Sequence, residues 1–296
     1  MNTFVSTEDF SKLNISADEK KDERQMWEEM DPLAWHHAIC KPNSVFLDTY
    51  EITRQQIVET LEAGHHDVII ECGSGTGDII GNLEVDVDRF GIDINDLFVE
   101  HSKEHHQHKN MTFLVQDILH FEEWWISNGY NKKYKAPLVV CVNNTLNIMP
   151  EEIRGQVIDQ MLKVAGDNGH CLVTYWNGNF FSHAVMNFYL QNPQLCGPFT
   201  YEHVDWDNRI LECPSGYSTH WMNPQEVQRL LRSYDVNIVE MNKTERHYNM
   251  DNINAAGLAI FAWFSRACTS GGKSCKLDLI VKDLIVKDLI VDIFIF

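Results

Sequence analysis

A glycine-rich loop after a buried strand is the sharpest chemical signal in the sequence. The segment VIIECGSGTGDII begins at Val68 and carries Gly73, Gly75 and Gly77. Glycines at these positions let the backbone turn tightly and pass close to a ligand. A helix that begins after such a loop presents its positive N-terminus to the same ligand. The segment therefore predicts a binding loop between a strand and a helix.

Acidic residues extend this signal to the next strand. Glu71 ends the first strand, and Asp93, within GIDIN, lies at the tip of the second strand about 22 residues further on. In nucleotide-binding folds an acid about 20 residues past the loop binds ribose hydroxyl groups. Together the loop and Asp93 predict a nucleoside site at the carboxyl ends of parallel strands.

A dinucleotide is one ligand that fits this geometry, and the spacing of the glycines in the loop bears on it. A dinucleotide site reads G-x-G-x-x-G, because its pyrophosphate needs bare backbone amides. Here the spacing is Glu71-x-Gly73-x-Gly75-x-Gly77, which departs from that pattern. A dinucleotide site, and a sheet of this type that holds no cofactor, are the minor alternatives.

The elements that must position these residues are short apolar or β-branched runs separated by helix-capable segments. This alternation predicts an α/β, Rossmann-like fold with a mostly parallel sheet and helices on both faces. Two later runs bring the predicted sheet to seven strands and are expected to form a hairpin at its edge. The runs are 68–72, 89–93, 112–115, 138–142, 170–175, 236–241 and 258–264.

Helical signals accompany these strands. Apolar positions recur at helical spacing over 46–61, and Gly64 supplies a stop. Asn223, with Glu226 three residues later, predicts the capped start of a helix over 224–234.

The composition restricts the partners of the protein. The chain has 296 residues, and its 44% hydrophobic content is enough for a large buried core. A net charge of −19 repels phosphate backbones and anionic lipid, so we expect neither a nucleic-acid nor a membrane partner. The first residues match neither a secretory signal nor a transit peptide, and the eight cysteines indicate reduced thiols. We therefore expect a cytoplasmic protein. A homo-oligomer is compatible with this expectation.

Three regions divide the chain. Residues 1–30 predict a charged N-terminal arm that is mobile up to Trp27. The main domain, 31–266, contains an insertion over about 176–222 that is rich in aromatic residues and is expected to form a cap. Residues 267–296 are a low-complexity tail, with the repeat DLIVK, DLIVK, DLIVD over 278–292. A period of five fits neither a strand face nor a helix stripe, so we expect the tail to lie outside the fold; oligomerisation or anchoring is the alternative.

The loop resembles motif one of the S-adenosylmethionine-dependent class I methyltransferases, and the resemblance continues over about 66–264. Gln116-Asp117-Ile118, after the third strand, resembles the segment in which an acid binds the adenine amino group. CVNNTLNIMP, after the fourth strand, resembles the motif that lines the methyl-transfer channel. The resemblance implies S-adenosylmethionine as cofactor, bound by Glu71, Gly73, Gly75, Gly77, Asp93, Ile94, Asp117, Ile118 and Asn143.

Within that family, NNTLN over 143–147, followed by Pro150, resembles small-molecule amine N-methyltransferases that act on glycine, sarcosine and dimethylglycine. DNA amino-group methylases carry Asn/Asp-Pro-Pro-aromatic instead. One departure concerns the Arg that glycine methylases usually have after strand five, where this chain reads YWNGN over 175–179. Either Arg209 binds the substrate carboxylate, or the substrate is not a simple amino acid. The implied activity is methylation of an amine such as sarcosine or dimethylglycine toward betaine.

The insertion supplies many aromatic rings, which either pack as a small core or form a cage for a cation. We expect most to pack and one or two to face the ligand. Asn143, Asn144 and Trp176 are expected to line the methyl-transfer channel as catalytic residues. The candidates for binding the small-molecule substrate are Trp176, Asn177, His183, Arg209, Tyr217 and Trp221.

Other signals favour ordinary structural roles. His101 and His105 share a predicted helix face, but no H-E-x-x-H motif occurs and this methyl transfer needs no metal, so we expect no metal site. Two other functions stay open. One is a methyltransferase for a thioether, thiol or carboxylate of a small metabolite, and the other is a non-catalytic nucleoside-binding module.

The tail yields the first testable expectation. Deleting every residue after Ser274 should leave cofactor binding and activity unchanged, because a period-five repeat cannot join a sheet in a consistent register. Calorimetry and a methyl-transfer assay on the truncated chain check this. Loss of soluble protein or of activity would mean that the tail belongs to the fold or to an assembly.

Overall fold

The computed structural model describes residues 22–39, 45–232, 234–240 and 257–266. The predicted tail, the first part of the predicted arm (1–21) and residue 241 of the predicted strand 236–241 lie outside the described residues.

A mostly parallel sheet forms the centre of the molecule. Strands β1 to β5 pair in parallel, and β10 pairs antiparallel with both β5 and β9, in the order β3-β2-β1-β4-β5-β10-β9. The α/β class and the mostly parallel sheet are therefore confirmed. The strands are β1 Val68–Cys72, β2 Asp88–Asp93, β3 Met111–Val115, β4 Pro137–Cys141, β5 His170–Trp176, β6 Val204–Asp205, β7 Ile210–Glu212, β8 Ser218–His220, β9 Asp235–Glu240 and β10 Ala259–Ser265.

Helices cover both faces of this sheet. Successive residues of β1 point to opposite sides, so Ile69 packs in the same cluster as Ile57, whereas Val68 and Ile70 pack with Val157. All five residues of β1 are buried, which explains why the strand is apolar except at Glu71. The helices are α1 Glu23–Glu28, α2 Pro32–Ile39, α3 Val45–Gly64, α4 Asp96–His105, α5 Phe121–Ser127, α6 Tyr130–Lys133, α7 Glu151–Ala165, α8 Phe181–Asn187, α9 Pro193–Cys196 and α10 Pro224–Leu230.

The strand order reverses between β1 and β4. Strand β1 lies between β2 and β4, so the connections that leave β1 and β4 run to opposite sides of the sheet. Their carboxyl ends separate there and leave a crevice, which is where open α/β sheets bind ligands.

The two helices predicted from sequence are present. The helix expected over 46–61 is α3, and that expected over 224–234 is α10, which ends earlier, at Leu230. The predicted cap is confirmed, because Asn223 Oδ1 accepts from Glu226 N at 3.0 Å and Glu226 Oε2 accepts from Asn223 N at 2.7 Å.

The end of the predicted mobile arm belongs to the packed domain, which corrects the sequence-based interpretation. Residues 23–28 form α1, whose N-cap is Asp22. Met26 and Met30, four residues apart, are each only 7% exposed and join the core. Asn95 Nδ2 donates to the backbone oxygens of Trp27 (2.8 Å) and Met30 (3.0 Å). The charged residues of this segment lie between buried positions, which a count of charges overlooks.

The insertion over 176–222 packs onto the main domain, and its buried residues share a core cluster with Phe46, Ile57 and Leu172. Strands β6, β7 and β8 form an antiparallel sheet, and α8 and α9 pack beside it. Most of its aromatic rings are buried, including Phe180, Phe181, Tyr189 and Trp221, whereas Trp206 is 41% exposed. The expectation that most of the rings pack is confirmed.

None of the helices in the described part of the chain is both long enough and apolar enough to cross a membrane.

The docking of α1 can be tested at Asn95, which is 1% exposed. Asn95→Ala leaves two buried carbonyl oxygens without their donor and removes the N-cap of α4, so the free energy of unfolding should fall by about 1–3 kcal/mol. Urea denaturation measures the change. The control Glu100→Gln, on an exposed position of α4, should stay within about 0.5 kcal/mol of the wild type. Equal effects of the two substitutions would contradict this account of how α1 docks.

Candidate active site

The glycine loop turns sharply out of β1 and passes close to the loop after β4. Gly73, Gly75 and Gly77 have φ values of 68°, 52° and 77°, in the left-handed region that favours glycine. A Cβ on Gly73 would lie 2.4 Å from Thr145 Cγ2. Glycine at position 73 is thus needed both for the turn and for the close approach of Thr145.

A cavity of about 280 Å³ opens in front of this loop, at the carboxyl ends of the strands. Gly73, Gly75 and Thr145 are among the residues that line it. The predicted cofactor residues that line the cavity are Gly73, Gly75, Asp93, Ile94, Asp117 and Ile118.

Asp93 joins the glycine loop to the end of β2. Its Oδ2 accepts from Gly75 N at 2.8 Å, and its Oδ1 accepts from Asn95 N at 3.0 Å. Burial raises the pKa of the Asp93 carboxyl, although the backbone amide groups that donate to it favour its charged form. The carboxylate therefore holds the loop in place while it faces the cavity.

Asp117 lies on the cavity wall after β3 and is paired with a residue that the sequence-based interpretation missed. Arg24 Nη1, from α1, donates to Asp117 Oδ2 at 2.9 Å, and Leu119 N donates to Asp117 Oδ1 at 2.9 Å. Hydrogen bonds to Glu28 and Asp117 raise the pKa of Arg24. Helix α1 is thereby fixed across the cavity opening.

Two predicted cofactor residues act from behind the loop and do not line the cavity. Glu71 is buried, and its Oε2 accepts from Ile80 N at 3.1 Å. Gly77 allows close packing, because a Cβ there would come within 2.8 Å of the Phe113 ring. Both residues shape the loop, so their predicted contact with the cofactor does not fit their positions.

Two consecutive asparagines after β4 adopt left-handed backbone conformations, with φ of 58° at Asn143 and 65° at Asn144. Asn tolerates this region better than most residues. The side chain of Asn144 is fully buried: its Oδ1 accepts from Trp176 N at 2.9 Å, and its Nδ2 donates to Thr219 Oγ1 at 3.1 Å. The pair turns the chain so that Thr145 reaches the cavity, while Asn143 and Asn144 do not line it.

The predicted substrate residues of the insertion mostly pack away from the cavity. Trp176 contacts Phe46, with ring centroids 5.0 Å apart, and Trp221 Nε1 donates to Tyr189 Oη at 3.1 Å. Asn177 is fully buried. His183, on α8, packs its ring 4.7 Å from that of Phe180. The cavity is not lined by Trp176, Trp221, Asn177 or His183.

Arg209 is held by the protein itself. Its guanidinium forms an ion pair with Glu226 and donates to the backbone oxygens of Trp221 (3.1 Å) and Asp207 (2.9 Å). It does not line the cavity. The expectation that Arg209 binds a substrate carboxylate is therefore corrected: it ties β7 to α10.

Aromatic residues of α1 and α2 line the cavity instead. The rings of Trp27 and Trp35 meet edge-on with centroids 5.6 Å apart, and both face the cavity. Tyr217, the one predicted substrate residue that approaches this region, lies behind Trp27 at 5.7 Å. Trp27 Nε1 is buried and has no hydrogen-bond partner in the described part of the chain. The four-residue spacing of Met26 and Met30 was the signal that could have placed Trp27 in the fold.

Metal ligation finds no support among the described residues, which contain no group of three His, Cys, Asp or Glu side chains able to hold an ion. His101 and His105 stack their rings with centroids 3.9 Å apart on α4.

The residues of the cavity fit a nucleoside-type cofactor. The glycine loop offers close backbone approach, Asp93 offers a carboxylate at the tip of β2, and Ile94 and Ile118 offer apolar surface. With the reversal of strand order, these features define a nucleoside-binding domain of the Rossmann-like class.

The family follows from sequence comparison. Residues 64–242 match a family model described as a methyltransferase domain. Because this match spans more than half of the chain, the chain belongs to the methyltransferase domain family. The protein is an S-adenosylmethionine-dependent methyltransferase, and S-adenosylmethionine is its cofactor. No curated protein sequence matches the chain.

Solved structures share the fold at low sequence identity. A SAM-dependent methyltransferase from Anabaena variabilis is 13% identical, and the match covers 86% of this chain and 99% of that one with a TM-score of 0.52. A magnesium protoporphyrin IX methyltransferase from Synechocystis is 14% identical over 79% of this chain and 93% of that one, with a TM-score of 0.47. The N-methyltransferase NodS from Bradyrhizobium japonicum is 13% identical over 74% of this chain and 97% of that one, with a TM-score of 0.44. The Anabaena structure supports the fold assignment.

Glu71 gives a pH-dependent prediction. Burial raises the pKa of its carboxyl well above 4.5, so Glu71 contributes most to stability below pH 4.5 and loses that contribution as the pH rises through its raised folded-state pKa. Glu71→Gln keeps an oxygen acceptor for Ile80 N and has no charge to bury. The difference in unfolding free energy, wild type minus variant, should therefore be smaller at pH 8 than at pH 5. Urea denaturation at both values measures it, and a difference independent of pH would contradict the assignment.

Proposed function

We propose that this protein transfers a methyl group from S-adenosylmethionine to the nitrogen of a small-molecule amine. One observation carries the amine assignment: the cavity that Trp27 and Trp35 line shares Glu23 and Met149 with a cleft lined by acidic side chains. Aromatic faces and carboxylates both stabilise ammonium groups, and a cation over Trp gains about 0.5–2 kcal/mol.

The cofactor supplies a methyl group already activated by a positively charged sulfur. The proposed binding residues are those that line the cavity: Gly73 and Gly75 through the backbone, Asp93 for ribose hydroxyls, and Asp117 with Ile118 for the base. Asp117 is paired with Arg24, so Arg24 would have to share or release this carboxylate when an adenine amino group binds.

The reaction asks little of side chains beyond alignment. The amine must arrive with a free lone pair, in line with the methyl carbon, in a site from which water is excluded. Trp27, Trp35 and Phe98 provide an apolar enclosure for this step. We assign no catalytic base, and we interpret Asn143 and Asn144 as residues that position Thr145.

Finer assignments remain predictions. A partly methylated amino acid such as sarcosine or dimethylglycine, and hence a role in betaine formation, requires a partner for the carboxylate other than Arg209, which is bound to Glu226. The cytoplasmic location, the domain boundaries and a homo-oligomer also stay predictions.

Cofactor binding tests the first half of the proposal. Gly75→Val puts a β-branched residue at a φ of 52°, and Asp93→Ala removes the loop's acceptor, so each should weaken S-adenosylmethionine binding at least about tenfold by calorimetry. The matched control is Gly155→Ala, since a Cβ there meets nothing within 4 Å and binding should not change. For the wild type, ligand at 100 times its Kd should add about 2.7 kcal/mol to the unfolding free energy. Absence of binding would reject the proposal.

An acceptor panel tests the second half. Methyl transfer to methylated amines should be detected, and its rate should rise with pH as the ammonium of the substrate loses its proton. The same panel contains thiols, thioethers and carboxylates. If these are methylated and no amine is, the amine assignment is wrong while the cofactor assignment stands.

A further inference from the structure

A second, more polar cleft adjoins the cofactor cavity. Its volume is about 480 Å³, and it lies between α1, the start of α7 and the β7–β8 hairpin. Glu23, Arg24, Met149 and Pro150 line both spaces, so the two are neighbours across a shared wall. A molecule in this cleft would lie beside the cofactor.

One side of this cleft carries a buried guanidinium. Arg154, on α7, is 7% exposed and lines the cleft. Its Nε donates to Met149 O at 2.9 Å, its Nη2 to Asn147 O at 3.2 Å and its Nη1 to His220 Nδ1 at 3.1 Å. Burial and the neighbouring Arg154 lower the pKa of His220, which favours the neutral ring that can accept this bond. Three of the five N–H groups are thus used, all on neutral acceptors.

No carboxylate forms an ion pair with Arg154 within the described ranges of the chain, although Glu151, Glu23 and Glu152 favour its charged form from a greater distance. Arg209, by contrast, is paired with Glu226. A buried charge is costly unless an opposite charge compensates it, so proteins pair nearly all such groups. The geometry of Arg154, with two unused N–H groups at the surface of a cleft, fits a carboxylate supplied by a ligand.

Acidic side chains also line the cleft, together with Arg24, and restrict what that ligand can be. They are Asp22, Glu23, Glu151, Glu152 and Glu212. A ligand that carried only negative charge would be repelled by this group. A molecule with both a carboxylate and an ammonium group satisfies Arg154 and the acids together.

We propose that this cleft binds the methyl acceptor as an ammonium carboxylate of the amino-acid type, with Arg154 as the residue that binds its carboxylate. The inference rests on the proposed function and names the acceptor class for it. It assigns the binding of the substrate carboxylate to Arg154 on α7 and not to Arg209 in the insertion. Arg154 lines the cleft and Gly75 lines the cofactor cavity, on the two sides of the shared wall. The acids stabilise the ammonium form on entry, and the shared wall at Met149 leads toward the cofactor cavity.

Calorimetry on the full chain loaded with S-adenosylhomocysteine tests this, with dimethylglycine and dimethylethanolamine as the two probes. In dimethylethanolamine a hydroxymethyl group replaces the carboxylate of dimethylglycine. The wild type should bind dimethylglycine at least about tenfold more tightly, since hydrogen bonds between charged groups are stronger than those of a neutral hydroxyl group. Arg154→Gln should bring the ratio of the two affinities close to one, with the Kd for S-adenosylhomocysteine unchanged.

Controls separate this role from a structural one. If Arg154 only ties the loop after β4 to His220, its loss would weaken both probes and S-adenosylhomocysteine alike. Arg209→Gln should keep the wild-type ratio. Should Arg154→Gln fail to fold, Arg154→Lys retains the charge without the fork and should still lower the ratio.

The outcomes are distinct for the two proposals. Three results would overturn the acceptor class and leave the proposed function standing. They are equal affinities of the wild type for the two probes, an unchanged affinity ratio in the Arg154 variants, and no binding of dimethylglycine to the loaded chain. Failure to bind S-adenosylhomocysteine would overturn the proposed function itself.

Discussion

The close approach of two loops is the constraint on which the rest of the site depends. The loop after β1 and the loop after β4 meet where Gly73 faces Thr145, with no room for a side chain on Gly73. Each loop reaches this position only through left-handed backbone, at Gly73 on one side and at Asn143 and Asn144 on the other. At the two asparagines, such conformations persist only when surrounding contacts hold them. The cavity is the space that these two loops leave in front of the sheet.

Those surrounding contacts explain what the insertion does. Asn144 is buried and bonds both the end of β5, at Trp176 N, and strand β8, at Thr219. His220, next in β8, accepts from Arg154. The insertion therefore contributes through its backbone and polar side chains, which fix the loop after β4 and one wall of the polar cleft. Its buried aromatic rings join the core of the main domain, while the rings that face the cavity come from α1, α2 and α4.

Local patterns predicted what local forces determine. The parallel strands of the central sheet, the glycine loop and the carboxylate of Asp93 were predicted from the sequence because each depends on neighbours along the chain, whereas β6, β7 and β8 of the insertion were not. The roles of Arg209 and Arg154 could not be predicted from the sequence. Nothing nearby in sequence shows that Arg209 forms an ion pair with Glu226 or that Arg154 forms no ion pair among the described residues. Helix α1 was assigned to a mobile arm since its acids dominate the composition, although Met26 and Met30 carry the packing signal. Pairing over long sequence separation decided all three cases.

A crystal structure of the full chain with S-adenosylhomocysteine is the most direct test of the central claim, that the cofactor lies between the two loops under the rings of α1 and α2. The account predicts that the Asp93 carboxylate lies within hydrogen-bond distance of the ribose hydroxyl groups and that the sulfur faces Trp27 and Thr145. A ligand bound outside this cavity, or a sulfur that faces Trp176 and Trp221 in the insertion, would contradict it.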